Sequence, residues 1–152
     1  MIPAEILTAI SDNHYDDFIR LLTNYGLWAR YTGAPKVPSA LDHSAPAVYT
    51  ISDDAAMMVD QVAGKIKRSR PNLYRLFYLY YIKGLDFYEI LSVIKHNRVK
   101  YQQRRKHKNY FEYNYAIDGA FKYLNAEAVI DLIKWAENLI LSELKQVVEV
   151  AK

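Results

Sequence analysis

The sequence predicts an all-α protein, a compact helical bundle that contains a helix-turn-helix with a basic and aromatic insertion between its helices. Three observations predict it. Hydrophobic residues make up 51% of the 152 positions, while glycine and proline number only five each. The apolar residues recur every three or four positions, and no extended alternating segment stands out. Helix-starting and helix-stopping residues flank those periodic stretches. A chain of this length forms one domain with a sizeable core.

Residues 1–31 read as N-terminal helices broken near Ser11 and Asp12. Asp12 or Asn13 can cap the second piece, in which Phe18, Leu21, Leu22, Tyr25 and Trp28 share one face. Trp28 reads as a core anchor rather than a ligand platform. Residues 32–52 hold three of the five prolines and one of the five glycines, and read as a long loop draped over the bundle.

Residues 53–94 carry the helices that lead into the helix-turn-helix. Ser52 caps the first of them, with Asp53 and Asp54 where negative charge meets the positive end of the helix dipole. Its buried face is Ala55, Met58, Val59, Val62 and Ile66. Pro71 opens the next helix, since its missing N–H would have had no partner there. Leu73, Phe77, Tyr80 and Tyr81 give that helix its apolar stripe, and Gly84 is the expected stop. Asp86 and Glu89 then form a capping box for a helix that buries Phe87, Ile90, Leu91 and Ile94. Two helices joined by a tight glycine-containing turn are how a helix-turn-helix DNA reader begins, and also how a small bundle begins.

Residues 95–124 are the insertion, basic and then aromatic, whose first part can extend the preceding helix. Residues 125–152 form the last element. Asn125 caps a long amphipathic helix that buries Val129, Leu132, Ile133, Ala136, Leu139, Ile140, Leu144 and Val147.

Charge is the clearest functional signal. Residues 95–108 hold seven of the 20 Lys and Arg and none of the 17 Asp and Glu, so the rest of the chain is net acidic. Solvated helices normally mix signs, and an unopposed run points to an anionic partner. Lys95, Arg98, Lys100, Arg104, Arg105, Lys106 and Lys108 suit phosphates. Tyr101, Gln102 and Gln103 between them suit stacking or base-edge contacts. A secondary basic patch, Lys65, Lys67, Arg68 and Arg70, reads equally as a favourable helix end or as an extra phosphate contact.

Other classes find less support. There is no Gly-rich phosphate loop, GxSxG, HExxH or cysteine, so the chain reads as a non-enzyme without disulfides, metal or cofactor. Asp16–Asp17 and Asp53–Asp54 sit where helix first turns attract acids, and His14, His43, His96 and His107 lack metal spacing. The 14 tyrosines read as core-edge residues with wet hydroxyls. No membrane segment or basic-then-apolar leader appears, and the expectation is a cytoplasmic protein.

Four stretches together carry a resemblance: YGLWARYTG (Tyr25–Gly33), DDAAMMVDQ (Asp53–Gln61), LFYLYYIKGLDFYEI (Leu76–Ile90) and VIDLIKWAENLI (Val129–Ile140). In this order the chain resembles the late-gene antitermination Q proteins of lambdoid phages, in the short class without a zinc finger. The third stretch also looks like region 4 of bacterial sigma factors. There the reader helix would begin within several residues of Ile94, whereas here about thirty residues intervene before Asn125. The helix that follows carries Glu127, Asp131 and Glu137 against Lys134, which is unsuited to a major groove. The expectation is that the basic insertion makes the DNA contact and that residues 125–150 pack the core.

The resemblance implies a bacterial host cytoplasm and no catalysis. It implies binding to double-stranded DNA near a phage late promoter and engagement of RNA polymerase paused there with sigma. The protein would then travel with polymerase at the RNA exit channel, beside nascent RNA, and suppress pausing and termination. The competing readings are a helix-turn-helix activator or repressor of phage genes, a Mg²⁺-dependent nuclease, and a module that binds an acidic protein.

Overall fold

The computed structural model describes residues 2–11, 15–32, 50–104 and 125–151, and among them there are helices and no strand. In chain order they are α1 (Ala4–Ala9), α2 (Tyr15–Thr32), α3 (Asp53–Ser69), α4 (Pro71–Phe77), α5 (Phe87–Arg104) and α6 (Ala126–Ala151). Between α4 and α5 lies a π-helical segment, Tyr78–Ile82. The all-α expectation is met. The first break falls where expected, with α1 ending at Ala9 and α2 beginning at Tyr15. The candidate caps Asp12 and Asn13, and most of the 32–52 loop, lie outside the described residues.

The end signals act as the sequence says. Ser52 Oγ accepts from the Ala55 amide at 3.2 Å. Pro71 occupies the first turn of α4. The capping box is reciprocal: the Glu89 amide donates to Asp86 Oδ1 at 2.8 Å, and the Asp86 amide to Glu89 Oε1 at 3.1 Å. Asn125 Oδ1 accepts from the Ala128 amide at 2.8 Å. Each cap satisfies a backbone donor that the helix itself leaves unpaired, worth about 1 kcal/mol.

Helix α4 packs on α3 and α6, α2 packs on the π segment, α1 on α2, and α5 on α6. Phe18, Leu22, Tyr25, Val59, Leu76, Phe77, Ile90, Val129, Ile140 and Leu144 are almost wholly enclosed. Met58, Leu91, Leu132, Leu139 and Val147 from the expected faces are only partly covered. Ala56, Ala63 and Val148, which the stripes did not include, are buried.

The π segment is what the periodicity did not foresee. The Lys83 amide reaches back to Tyr78 O at 2.9 Å, five residues, and the Leu85 amide to Leu79 O at 3.0 Å. One extra residue per turn shifts the face, so Leu79, Tyr81 and Ile82 are all buried while Tyr80 is half-exposed. Gly84 closes the turn at φ +73°, a left-handed conformation that costs an L side chain roughly 1–2 kcal/mol.

Helix α2 meets the π segment backbone to backbone. A Cβ on Gly26 would stand 2.6 Å from the Tyr81 carbonyl carbon and closer still to its oxygen. No side chain yields there, because the obstruction is main chain. Gly64, in the middle of α3, has nothing nearer than Arg68 Nη1 at 3.6 Å. The same change therefore has opposite signs at the two sites. Gly26→Ala is expected to cost more than about 3 kcal/mol through forced separation of the two segments. Gly64→Ala is expected to add about 0.5–1 kcal/mol from helix propensity. Urea unfolding followed by circular dichroism measures both.

Candidate nucleic-acid interface

The basic stretch begins on α5. This helix continues through Arg104, ten residues past Ile94, which is buried. Lys95 is exposed at the start of the stretch. Arg98, Lys100, Tyr101, Gln102, Gln103 and Arg104 lie on the α5 backbone, and their side chains lie outside the described part. Arg105, Lys106 and Lys108, with the rest of the insertion to residue 124, lie outside the described residues.

The secondary patch is resolved into individual contacts. Lys65 Nζ sits 3.7 Å from Glu143 of α6. The Arg70 guanidinium lies over the Trp135 ring, 5.0 Å from its centroid. Each contact is worth about 0.5–1 kcal/mol at such exposure. Two of the four cations thus tie the end of α3 to α6. Arg68 is exposed and pairs with no acid among the described residues. Lys67 faces another way, with Nζ 5.6 Å from the centroid of Tyr74.

Tyr74 and Tyr78 stand one helical turn apart, with centroids 6.2 Å apart and planes inclined by 35°. Lys83 Nζ lies 5.8 Å from the Tyr78 centroid. The two rings form a ridge between two clefts. One, of about 560 Å³, is lined by Lys67, Pro71, Tyr74, Arg75 and Tyr78. The other, of about 630 Å³, runs from the ridge to Trp28 and Arg30 of α2, with Asp60 and Lys83 on its wall. Sequence reasoning missed this ridge because the tyrosines were counted as a group. The usable signal was the i, i+4 spacing of Tyr74 and Tyr78 beside Lys67, Arg75 and Lys83.

Beneath the ridge the helices are joined by polar contacts. The Tyr25 hydroxyl donates to Asp60 Oδ1 at 2.7 Å, and Trp28 Nε1 donates to Asp53 Oδ1 at 2.9 Å. Arg30 Nε donates to the Ile82 carbonyl at 2.6 Å. Trp28 is half-buried and its ring stacks near Tyr25, at 6.1 Å and 26°. Glu137 is buried and accepts from two hydroxyls, Tyr15 at 2.8 Å and Tyr81. In the sequence it counts, with Glu127 and Asp131, among the acids that make the last helix unsuited to a major groove. Its burial takes it off the exposed face of α6, leaving Glu127 and Asp131 exposed there with Lys134.

Both acidic pairs occupy first turns. Asp16 and Asp17 begin α2, where Asp17 pairs with Arg20 at 3.2 Å, and Asp53 and Asp54 begin α3. Among the described residues no three His, Cys, Asp or Glu side chains converge as a metal site would require. None of the described helices is long and apolar enough to cross a membrane. No protein-family model, characterised protein or solved structure matches the chain.

The tyrosine–carboxylate contacts make stability depend on alkaline pH. Burial, reinforced by the Asp60 carboxylate, pushes the Tyr25 hydroxyl well above its ordinary range; burial and Glu137 do the same to Tyr81. Burial and Glu137 push Tyr15 up to about 12. A raised folded value means that the unfolded chain releases its phenolic protons first. The stabilisation is therefore complete below pH about 10 and declines as pH rises beyond it. Tyr25 and Tyr81 together should lower stability by roughly 2–3 kcal/mol per pH unit there. Urea midpoints at pH 9, 10 and 11 should fall in that sense. Tyr25→Phe/Tyr81→Phe should start less stable at pH 9 and fall less steeply.

Proposed function

We propose that this chain is a phage late-gene antiterminator of the short Q class, binding DNA near a late promoter and then acting on RNA polymerase at the RNA exit channel. One observation carries the reading. The four stretches that resemble Q proteins, separated in sequence, meet at one junction. Tyr25, Gly26, Trp28 and Arg30 come from the first stretch, and Asp53 and Asp60 from the second. Tyr81 and Ile82 come from the third, and Glu137 from the fourth. The resemblance thus falls on residues that hold the helices together.

The chemistry fits the role. Holding a terminator hairpin open requires no catalysis. It requires a rigid body that carries unopposed cations toward nucleic acid, and the run from Lys95 to Lys108 supplies seven of them. Lys95 leaves the bundle on a helix fixed at its start by the Asp86–Glu89 box. A specific observation also favours a second reading, a helix-turn-helix regulator. Helix α4 with its π segment, the Gly84 turn and α5 follow one another in the chain order such a motif uses, and α5 exposes Tyr88, Glu89 and Lys95.

Transcription with purified bacterial RNA polymerase from the cognate late promoter separates the two. Protein added before promoter escape is expected to raise the fraction of transcripts that pass a downstream intrinsic terminator. Arg104→Ala/Arg105→Ala/Lys106→Ala, folded like the parent by circular dichroism, is expected to lose most of that gain. A change in initiation with no change in readthrough would leave the regulator reading in its place.

A further inference from the structure

We propose that the Tyr74–Tyr78 ridge, flanked by Lys67, Arg75 and Lys83, is a binding site for single-stranded nucleic acid, on which successive unpaired bases stack. The site uses none of residues 95–108, and the proposal stands whether or not the chain is an antiterminator.

Three features carry it. First, the rings are held in place yet accessible: both are half-buried, and Tyr74 packs against the enclosed Phe77 at 6.3 Å. Stacking on such rings is strong because little freedom is lost, and it tolerates any base because every base has a π face. Second, each ring already carries a lysine ammonium over it, Lys67 on Tyr74 and Lys83 on Tyr78. Both lysines are exposed, so they can swing to phosphates while bases take their places on the rings. Arg75 lines the cleft on the Lys67 side and adds a third cation. Third, clefts of about 560 and 630 Å³ flank the ridge, within the range that accepts a nucleotide-sized group.

The acids nearby keep their charge, so the strand's phosphates are expected along the cations and away from Asp60. Asp60, on the wall of the second cleft, accepts the Tyr25 hydroxyl, and Asp53 accepts Trp28 Nε1. A duplex does not fit the proposal, because its bases are stacked on one another and offer no free face. The ligand chemistry is an unpaired strand of RNA or DNA.

The test uses the full chain and fluorescein-labelled 12-nucleotide oligouridylate, oligothymidylate and a duplex of the same length, read by fluorescence anisotropy. Tyr74→Leu/Tyr78→Leu keeps the apolar bulk and removes the stacking faces. It is expected to bind single strands about tenfold more weakly or worse, with an unchanged salt slope, since no counterion release is lost. Lys67→Gln/Lys83→Gln alters only exposed side chains and is expected to flatten the salt slope by roughly 1.4. Thermal melts establish that each variant is folded. A loss on both single strands, or on oligouridylate alone, supports the site, the latter naming RNA as its ligand. The proposal is overturned if the parent binds neither strand, or if the tyrosine variant stays within twofold of it. Equal weakening on the duplex, or an unaltered slope in the lysine variant, also overturns it.

Discussion

Helix α2 can lie against the π segment only because position 26 has no side chain. Gly26 lets the two backbones touch at the Tyr81 carbonyl, and that approach sets the spacing of everything around it. From the same stretch of α2, Tyr25 reaches Asp60 on α3 and Arg30 reaches the Ile82 carbonyl. On the other side, the Tyr81 hydroxyl reaches Glu137 in the middle of α6. A buried carboxylate is costly unless its oxygens are bonded, and both oxygens of Glu137 are. The result is a junction in which a main-chain contact and a buried polar contact fix α2, the π segment and α6 in one arrangement.

The π turn is part of the same constraint. An uninterrupted α-helix from Pro71 would present Tyr81 at a different angle, and its carbonyl and hydroxyl would not serve two neighbouring helices at once. The extra residue costs regular i→i−4 bonding, which the longer-span bonds from Lys83 and Leu85 replace. Tyr78 follows Tyr74 by one ordinary α turn, its amide bonding the Tyr74 carbonyl, and the two rings lie on the outer side while Phe77 and Tyr81 point inward.

Much of this was legible in the sequence, for identifiable reasons. Caps depend on one or two side chains next to one backbone amide, so Ser52, Asp86 with Glu89, and Asn125 can be recognised locally. Gly84 is readable because a helix that stops at glycine uses its left-handed freedom. Gly26 gave no such signal: it sits inside a helix, and its reason is a neighbour 55 positions away. Glu137 looked like any surface acid, because its partners Tyr15 and Tyr81 lie 122 and 56 residues distant. The Lys65, Lys67, Arg68 and Arg70 cluster split for the same reason. Whether each cation faces Trp135, Glu143 or a tyrosine is decided by packing and not by charge count. The basic stretch is the converse case, plain in the sequence and reaching the described structure only at Lys95 and the α5 backbone.

Antitermination differs from ordinary promoter regulation in one physical respect: the protein stays with polymerase after the promoter is left. The most direct measurement places polymerase on an immobilised late-promoter template, walks it well past the promoter, washes in competitor polyanion, and quantifies this protein in the halted complex. Retention near one copy per polymerase is the predicted result, from the cations proposed to hold the emerging strand. Protein that remains at the promoter or leaves with the wash, while polymerase moves on, would contradict it.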